Sequence, residues 1–430
     1  MKVLVVGGGG REHAICLALK KSKGVDEIWC APGNGGISYD VNIKDIPAND
    51  VDTMVDFAKD NNFDYVIVAQ DDPLALGMVD ALAEVGIPAF GPNKSAARIE
   101  SSKVFSKDLM KKYNIPTADY EVFSDAEEAK EYIGNYEKFP VVLKADGLAL
   151  GKGVLICNSR QEALAGIDQI MVDKKFGDSG NSIVVEEFLT GPEVSVLSFC
   201  DGKTCVPLVS SMDHKRALDG DKGLNTGGMG VVAPNPHYTP EIADVCMETI
   251  FKPTMAAMEN EGCPFKGCLY FGLMLTVDGP KVIEYNARFG DPEAQAVLPL
   301  LKGDFMEICQ ASTNGNLSDV DFTFEDKASA IVIVASGGYP LSYKKGIEIK
   351  GLKDGQIKDC SRDNIHVIHA GDKIEGDKLL TNGGRVLGVV AVSDTLEKAL
   401  EDAYSEIDKI EFDGAFYRHD IGQKALAFEG

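Results

Sequence analysis

The sequence predicts an α/β (α+β) multidomain protein: a doubly wound parallel sheet first, strands split by glycine-rich loops in the middle, and a β-rich domain last. Three observations carry this. Residues 2–6 are a short, continuous apolar run, the pattern of a parallel strand buried on both faces, and a glycine turn and a helical pattern follow at once. Further strand-like runs at 27–30, 65–69 and 88–91 alternate with helical stretches, which suggests an open, doubly wound sheet up to about residue 100. Towards the other end, strands at 328–335, 366–369 and 385–392 are separated by turns, and one helical pattern at 395–410 closes the domain. The length of 430 residues leaves room for two to four domains of ~100–200 residues each.

Composition narrows the class. The net charge is −24, from 43 basic and 67 acidic residues, which argues against a general nucleic-acid binder because phosphate backbones select basic surfaces. Basic residues that recur inside glycine-rich stretches of so acidic a chain are therefore informative. No apolar run reaches the ~18 residues of a membrane span. The opening run is shorter than the ~7–15 apolar residues of a signal peptide. The ten cysteines are scattered, with no C-x-x-C pair and no histidine at metal spacing; zinc is disfavoured, and reduced thiols in a cytosolic enzyme fit.

In the first segment, Gly7-Gly8-Gly9-Gly10-Arg11-Glu12-His13 joins a strand to a helix N-terminus, where bare N–H groups and the helix dipole favour an anion. The dinucleotide fingerprint nearly fits but fails, since its third glycine would fall at Glu12, and the strand at 27–30 ends in Ala31-Pro32-Gly33-Asn34-Gly35-Gly36 with no acid placed for a ribose hydroxyl. A small phosphorylated ligand on Gly9, Gly10, Arg11 and Glu12, with Asn34 and Gly35 beside it, fits better than NAD. The plain alternative is a glycine turn that lets a helix pack.

In the middle segment, a buried strand at 140–144 ends in Lys144, and the glycine-rich loop 145–153, with Gly151, Lys152 and Gly153, leads into a second strand at 154–157. A P-loop would need G-x-x-x-x-G-K-[ST] before a helix; a hairpin carrying Lys152 suits a lid over phosphates. The strand at 183–189 runs from apolar residues into Glu186, Glu187, Phe188 and Leu189, an edge able to pair its backbone with an adenine, and Glu193 follows where it can accept bonds from ribose hydroxyls. Asp213-His214-Lys215-Arg216 and Gly223-Leu224-Asn225-Thr226-Gly227-Gly228-Met229-Gly230 read as basic and glycine-rich loops, where a ligand can approach the backbone closely.

The strand starting at Val282 is the organising stretch. Alternation places Glu284, Asn286 and Arg288 on one face and Ile283, Tyr285 and Ala287 on the other. A carboxylate and an amide oxygen suit a hard cation that takes most of its ligands from phosphates, and the guanidinium offers a fork for phosphate or carboxylate. Gly290-Asp291-Pro292 ends the strand abruptly and adds charge. A solvated strand face is the bland alternative.

Lys144, the Gly-Leu-Ala-Leu-Gly-Lys-Gly-Val loop, Glu-Glu-Phe-Leu with Glu193 behind it, and the Glu284-x-Asn286 strand resemble the ATP-grasp fold. With Gly-Gly-Gly-Gly-Arg-Glu-His-Ala, Ala-Pro-Gly-Asn-Gly-Gly, Asp-His-Lys-Arg, Asn-Thr-Gly-Gly-Met-Gly and Arg-Phe-Gly-Asp-Pro-Glu-Ala-Gln, the set closely resembles the phosphoribosylamine–glycine ligase (glycinamide ribonucleotide synthetase) family, essentially end to end. The resemblance implies an N-terminal substrate domain at 1–102, an ATP-grasp domain at 103–316 with a lid subdomain at about 120–190, and a C-terminal domain at 325–430. It implies ligation of glycine to 5-phosphoribosylamine through glycyl phosphate, giving glycinamide ribonucleotide, ADP and phosphate, a step of purine biosynthesis. ATP and Mg²⁺, with Mn²⁺ as substitute, are the implied cofactors.

Around ATP the resemblance implies Lys103, Lys144, Gly151, Lys152, Gly153, Glu186, Glu187, Phe188, Leu189 and Glu193, with Glu284 and Asn286 on the metal. For the substrates it implies Gly9, Gly10, Arg11, Glu12, Asn34, Gly35, Asp213, Lys215, Arg216, Asn225, Gly228, Arg288, Gly337 and Gly338, and for catalysis Arg288, Lys144 and Asp213. Expected partners are these small molecules, with no nucleic acid and no membrane, in a cytoplasmic monomer that touches the phosphoribosylamine-producing enzyme transiently. Ala69-Gln70-Asp71 stands where family members often carry Gly-Pro-Glu, a departure in the wall of the first-domain ligand site. His366, His369 and His419 read as structural. The rival readings are another ATP-grasp ligase or carboxylase, for example one using bicarbonate, a dinucleotide-dependent oxidoreductase, and a nucleotide sensor without turnover.

Overall fold

The computed structural model describes residues 1–148 and 153–428. Its first sheet is parallel throughout. Lys2–Gly7 lies at the centre, with Glu27–Pro32 and then Asn42–Ile43 on one side and Tyr65–Val68 and then Ala89–Phe90 on the other. Val3, Leu4, Val5 and Val6 are fully buried because both faces of the sheet are covered. Strand order reverses beside this central strand, and open sheets of this type bind ligands off the carboxyl ends at such a point. The helix Gly10–Lys20 starts there.

A small antiparallel sheet follows, in the spatial order Tyr120–Phe123, Ile183–Glu187, Val141–Ala145, Val154–Cys157. Val141, Leu143, Ile183 and Val185 pack with Ile133 and Ile167 of the flanking helices. Strand alternation then puts Lys144 and Glu186 on the opposite face, where they lie diagonally across the pair because Lys144 is opposite Val184.

Next comes a second antiparallel sheet, Cys205–Pro207, Glu193–Asp201, Lys266–Thr276, Gly279–Asn286. The last two strands form the hairpin expected around Asp278-Gly279. Their register shifts opposite Gly272 and Leu273, so the alternation expected for the final strand holds only in part. Val282, Tyr285 and Ala287 enter the core, while Ile283 stays half-buried rather than joining Tyr285 and Ala287 on the inner face. A bulge of this kind re-aims side chains beside functional sites.

The last sheet has the order Met212–Asp213, Gly230–Ala233, Ala328–Ala335, Arg385–Ser393, Ile365–His369, all antiparallel. Helix Leu396–Ile407 packs on it, started by the Thr395 hydroxyl accepting from Lys398 N at 3.2 Å. An expected C-terminal domain beginning at 325 leaves out Met212–Asp213 and Gly230–Ala233, which the backbone bonds into its sheet. The region between them, expected as loops, contains the hairpin Arg216–Leu218 and Lys222–Asn225. Among the described residues no helix is long and apolar enough to cross a membrane.

Candidate active site

Lys144 leaves the small sheet with its Nζ 2.9 Å from Glu186 Oε2, and it donates to the Ile283 carbonyl at 3.0 Å. This is what the bulge at Ile283 supplies: a carbonyl turned towards the lysine. Lys107, on the helix Lys103–Lys112, approaches the same Glu186 oxygen at 3.1 Å and donates to Thr117 Oγ1 at 2.8 Å. Glu186 is buried, and its other oxygen has no hydrogen-bond partner among the described residues. Burial pulls the Lys107 ammonium down to about 8, against the attraction of Glu186. Lys103 opens the same helix, whose first turn is capped by Asp146 accepting from Val104 N at 3.2 Å, and its Nζ donates to the Gly147 carbonyl at 2.9 Å. Burial lowers this ammonium too, although Glu284 opposes the shift. Two lysines therefore share the Glu186 carboxylate while Lys103 stands close by on a backbone carbonyl, an arrangement suited to phosphate oxygens.

Glu284 lies in the field of all the cations around it. Burial acts to raise its carboxyl, but Lys215, Lys144, Lys103 and Arg288 together hold it below the usual carboxylate range. It makes no ion pair with any of them among the described residues, so its oxygens stay available. Asn286 Oδ1 has only a long contact of 3.4 Å from Arg288 Nη2. An ionised carboxylate and a nearly unengaged amide oxygen, two positions apart on one strand, fit a Mg²⁺ that draws its other ligands from phosphates. No cluster of three or more acidic, histidine or cysteine side chains suited to a metal occurs among the described residues. Arg288 is fixed by Glu100, at 3.1 Å from Nη2, and Glu100 also accepts from Ala287 N at 2.7 Å.

Arg288 also lies in the field of acidic groups, Glu293 among them. Asp213 and Glu293 form a buried carboxyl pair. Burial and the neighbouring Glu293 push Asp213 well above the usual range, and burial raises Glu293. Asp213 Oδ1 is buried without a partner among the described residues. The Gly228 backbone, at φ +117°, runs so close that a Cβ there would stand 2.6 Å from Asp213 Oδ1 and 2.5 Å from Pro292 Cδ. Only glycine combines that dihedral with that approach. Lys215 lies near the pair and is 3.1 Å from Glu193, whose carboxylate is thus already engaged.

The other expected site residues divide. Gly9, Gly10 and Arg11 lie at the junction with the strand end: Gly9 beside the Asp291 carboxylate, Gly10 against Gln295, and Arg11 donating to the Phe289 carbonyl at 3.1 Å. Glu12 accepts from Gly9 N at 2.6 Å and from Arg11 Nε at 2.6 Å, so part of the helix terminus is closed by the chain's own carboxylate. Asn34 is a brace, giving its amide hydrogens to the carbonyls of Gly8, His369 and Ala370 and accepting from Ile37 N. Gly35 packs on the Lys373 backbone. Arg216 and Asn225 face each other across the exposed hairpin, where Arg216 donates to Gly223 O. Gly337 and Gly338 shape the turn that presents Tyr339, and its hydroxyl accepts from Gly227 N at 3.2 Å. Beyond Glu187, Phe188 and Leu189 leave the strand half-buried. Gly153 leads into Val154–Cys157, while Gly151 and Lys152 lie outside the described residues.

Family models match in three consecutive blocks: the N domain of phosphoribosylglycinamide synthetase over residues 1–100, its ATP-grasp (A) domain over 101–294 and its C domain over 329–424. A phosphoribosylamine–glycine ligase of Caldanaerobacter subterraneus subsp. tengcongensis is 47% identical over 98% of this chain and 99% of its own. The chain belongs to the phosphoribosylamine–glycine ligase family.

Crystal structures agree. The family member from Thermotoga maritima superposes with a TM-score of 0.84 at 33% identity, covering 98% of this chain and all of its own. The biotin carboxylase domain of a 2-oxoglutarate carboxylase from Hydrogenobacter thermophilus, solved with MgADP and bicarbonate, superposes at 0.74 with 17% identity over 97% and 91% of the two chains, a likeness of fold.

Within the family frame, sequence reasoning passed over Glu293, Lys107, Glu100 and Arg385. Glu293 had a signal, since it ends the Gly290-Asp291-Pro292 motif. Arg385 had a weak one, a charge opening an apolar strand. Lys107 and Glu100 sit on helices whose polar residues look like any solvated face.

Proposed function

We propose that this chain joins glycine to 5-phosphoribosylamine with ATP, giving glycinamide ribonucleotide, ADP and phosphate. The observation that carries the proposal is the occurrence, both within the field of Arg288, of a lysine set around Glu284 and of a buried carboxyl pair. A triphosphate belongs with the lysines and an ammonium with the carboxyls, and the two meet at the arginine. The family membership supports the same reading.

A carboxylate is a poor acyl donor because its oxygen leaves badly. In the proposed sequence a glycine carboxylate oxygen attacks the terminal phosphorus of ATP and ADP departs, which gives glycyl phosphate. The amine of phosphoribosylamine then attacks the acyl carbon, phosphate leaves, and the amine loses a proton. Lys144 and Lys103 hold phosphate oxygens. Glu186 keeps Lys144 and Lys107 in place. Glu187, Phe188 and Leu189 offer backbone to the adenine, and Glu193 faces the ribose. Glu284 and Asn286 would hold Mg²⁺, or Mn²⁺ in its place, which when bound neutralises charge on the phosphates. Arg288, oriented by Glu100, faces the transferring phosphoryl group, where fixed positive charge contributes most.

Asp213 and Glu293 receive the ammonium of glycine, and Asp213 takes the proton released by the attacking amine; Lys215 balances their charge. The sugar phosphate rests on Gly10 and Arg11 at the helix terminus, with Gly9 and Glu12 shaping it. The reaction runs with Mg²⁺ in a cytoplasmic setting.

The test is ADP release with Mg²⁺ATP, omitting glycine or phosphoribosylamine in turn. Release that needs both, with one amide formed per ADP, is expected. Release with bicarbonate or another acid in place of glycine would overturn the substrate assignment while keeping the fold.

A further inference from the structure

Arg385 opens the strand Arg385–Ser393 of the C-terminal sheet, yet its guanidinium serves loops from elsewhere in the chain. Nη1 donates to the carbonyls of Gly227 at 3.0 Å, Gly228 at 3.3 Å and Asp291 at 2.8 Å. Nη2 stands 3.2 Å from Asp291 Oδ1, which also accepts from Gln295 Nε2 at 2.8 Å. The head group lies on Gly227, where a Cβ would come within 2.9 Å of Cζ. Tyr339, from the neighbouring turn of the same sheet, accepts from Gly227 N. One side chain thus holds two loops, and each loop shapes half of the carboxyl pair: Gly228 packs on Asp213 and on Pro292, and Glu293 follows Pro292 directly.

We propose that Arg385 is a positioning residue for the ligase reaction, setting the spacing and orientation of Asp213 and Glu293 by fixing the Gly227-Gly228 and Asp291-Pro292 backbones. Planar, forked donors are what this task needs. A lysine ammonium in the same place could reach some of the acceptors but could not lie flat on Gly227 while forking to three carbonyls and a carboxylate. The positive charge also stands near both carboxyls without bonding to either, and Asp213 Oδ1 is without a partner among the described residues, open to an incoming ammonium. The inference rests on the reading of that pair as the seat of the amino group of glycine.

The experiment is steady-state ADP release by the full chain carrying Arg385→Ala or Arg385→Lys, with Tm measured for each. For Arg385→Ala the expectation is a KM for glycine raised about tenfold or more with the KM for ATP within about twofold, and recovery of glycine affinity on adding millimolar guanidinium. Arg385→Lys should lie between. A folded Arg385→Ala enzyme with wild-type kcat and glycine KM overturns the inference, as does an equal loss towards ATP and glycine that guanidinium does not restore. If Arg385→Ala fails to fold, Arg385→Lys decides: a glycine-selective rise in KM supports the role and unchanged kinetics refute it. Glycine-independent turnover by the wild type would instead remove the reading beneath it, an outcome visible before any variant is made.

Discussion

The lysine cluster around Glu186 and the carboxyl pair under Arg385 are built in opposite ways. Around Glu186, two ammonium groups share one oxygen of a buried carboxylate and a third stands close by. Around Arg385, one guanidinium spends its bonds on backbone carbonyls and on Asp291, while Asp213 Oδ1 nearby has no partner among the described residues. The first region pre-pays for incoming anions with clustered positive charge, and the second offers a cation two buried carboxyls raised by burial. The difference teaches where binding energy is stored: a like-charge cluster is costly when empty, and the ligand that relieves it is the one the site selects. Glu284 is the meeting point, since it belongs to the acidic set by type and to the lysine field by position.

Removing Glu284 should therefore give the largest effect. Glu284→Gln keeps shape and removes the charge, so kcat/KM should fall about 10³-fold and the Mg²⁺ requirement should shift to much higher concentration, with Tm near wild type. Near-normal activity at low Mg²⁺ would take Glu284 out of the metal site and place it with the lysines as a structural counter-charge.

The cost stored in the lysine cluster can be read from pH. Lys107 titrates at about 8 in the fold against its ordinary 10.5, so the unfolded chain binds more protons between those values and stability should rise with pH across that window. The cost is complete below about 8 and gone above 10.5, a span worth about 3 kcal/mol. Urea unfolding of wild type and Lys107→Met between pH 7.5 and 9.5 would isolate it. The wild type should gain on the variant as pH rises, and parallel curves would mean that Glu186 fully compensates the ammonium.

The carboxyl pair makes the complementary prediction. Glu293→Gln removes the like charge beside Asp213, so the Asp213 carboxyl should titrate lower and the acid limb of the kcat/KM profile should move down in pH. Glycine-dependent kcat/KM should drop about 10²-fold, while ATP binding, followed by nucleotide protection against thermal unfolding, stays. An unmoved acid limb would show that the two carboxyls are not coupled.

Much of this architecture was legible in order along the chain, and what was not shares a cause. The opening parallel sheet, Lys144 at a strand end and the Glu284-x-Asn286 pattern follow from local apolar runs and alternation. Ile283 escaped because its face depends on a register shift set by the partner strand. Residues 213–216 and 223–230 read as loops since nothing local reveals that Gly230–Ala233 borders Ala328–Ala335. Asn34 looked like a ligand residue, yet its hydrogen bonds reach His369 and Ala370 from the far end of the chain. His369, read as structural, is held by Asp372 and the Gly355 carbonyl. Arg385 could not be placed without knowing that Gly227 and Asp291 come to lie beside one another. Local pattern gives elements and their faces; braces and clasps depend on contacts between distant segments.

Asp71 tests where the two regions divide, and here the expected effect is smallest. It is the acid that stands in the family's departure at Ala69-Gln70-Asp71, and it opens the short helix Asp71–Leu76. Burial acts to raise its carboxyl, but Arg288 and Arg11 hold it below the ordinary value. One carboxylate therefore lies in the fields of the arginine assigned to phosphoryl transfer and of the one assigned to the sugar phosphate. Asp71→Asn removes one carboxylate from the field of both arginines while Glu100 still pairs Arg288 and Glu12 still pairs Arg11, so KM for phosphoribosylamine should fall or rise by only about threefold, with kcat changed by less. The sign is informative. A fall would mean that Asp71 competes with the substrate phosphate for Arg11, so the departure weakens anion binding at the N-terminal site. A rise would mean that the carboxylate orients Arg11 for its ligand. An effect confined to kcat would tie Asp71 to Arg288 instead, and the boundary between the phosphate-handling region and the amine-handling region would then run on the other side of this residue.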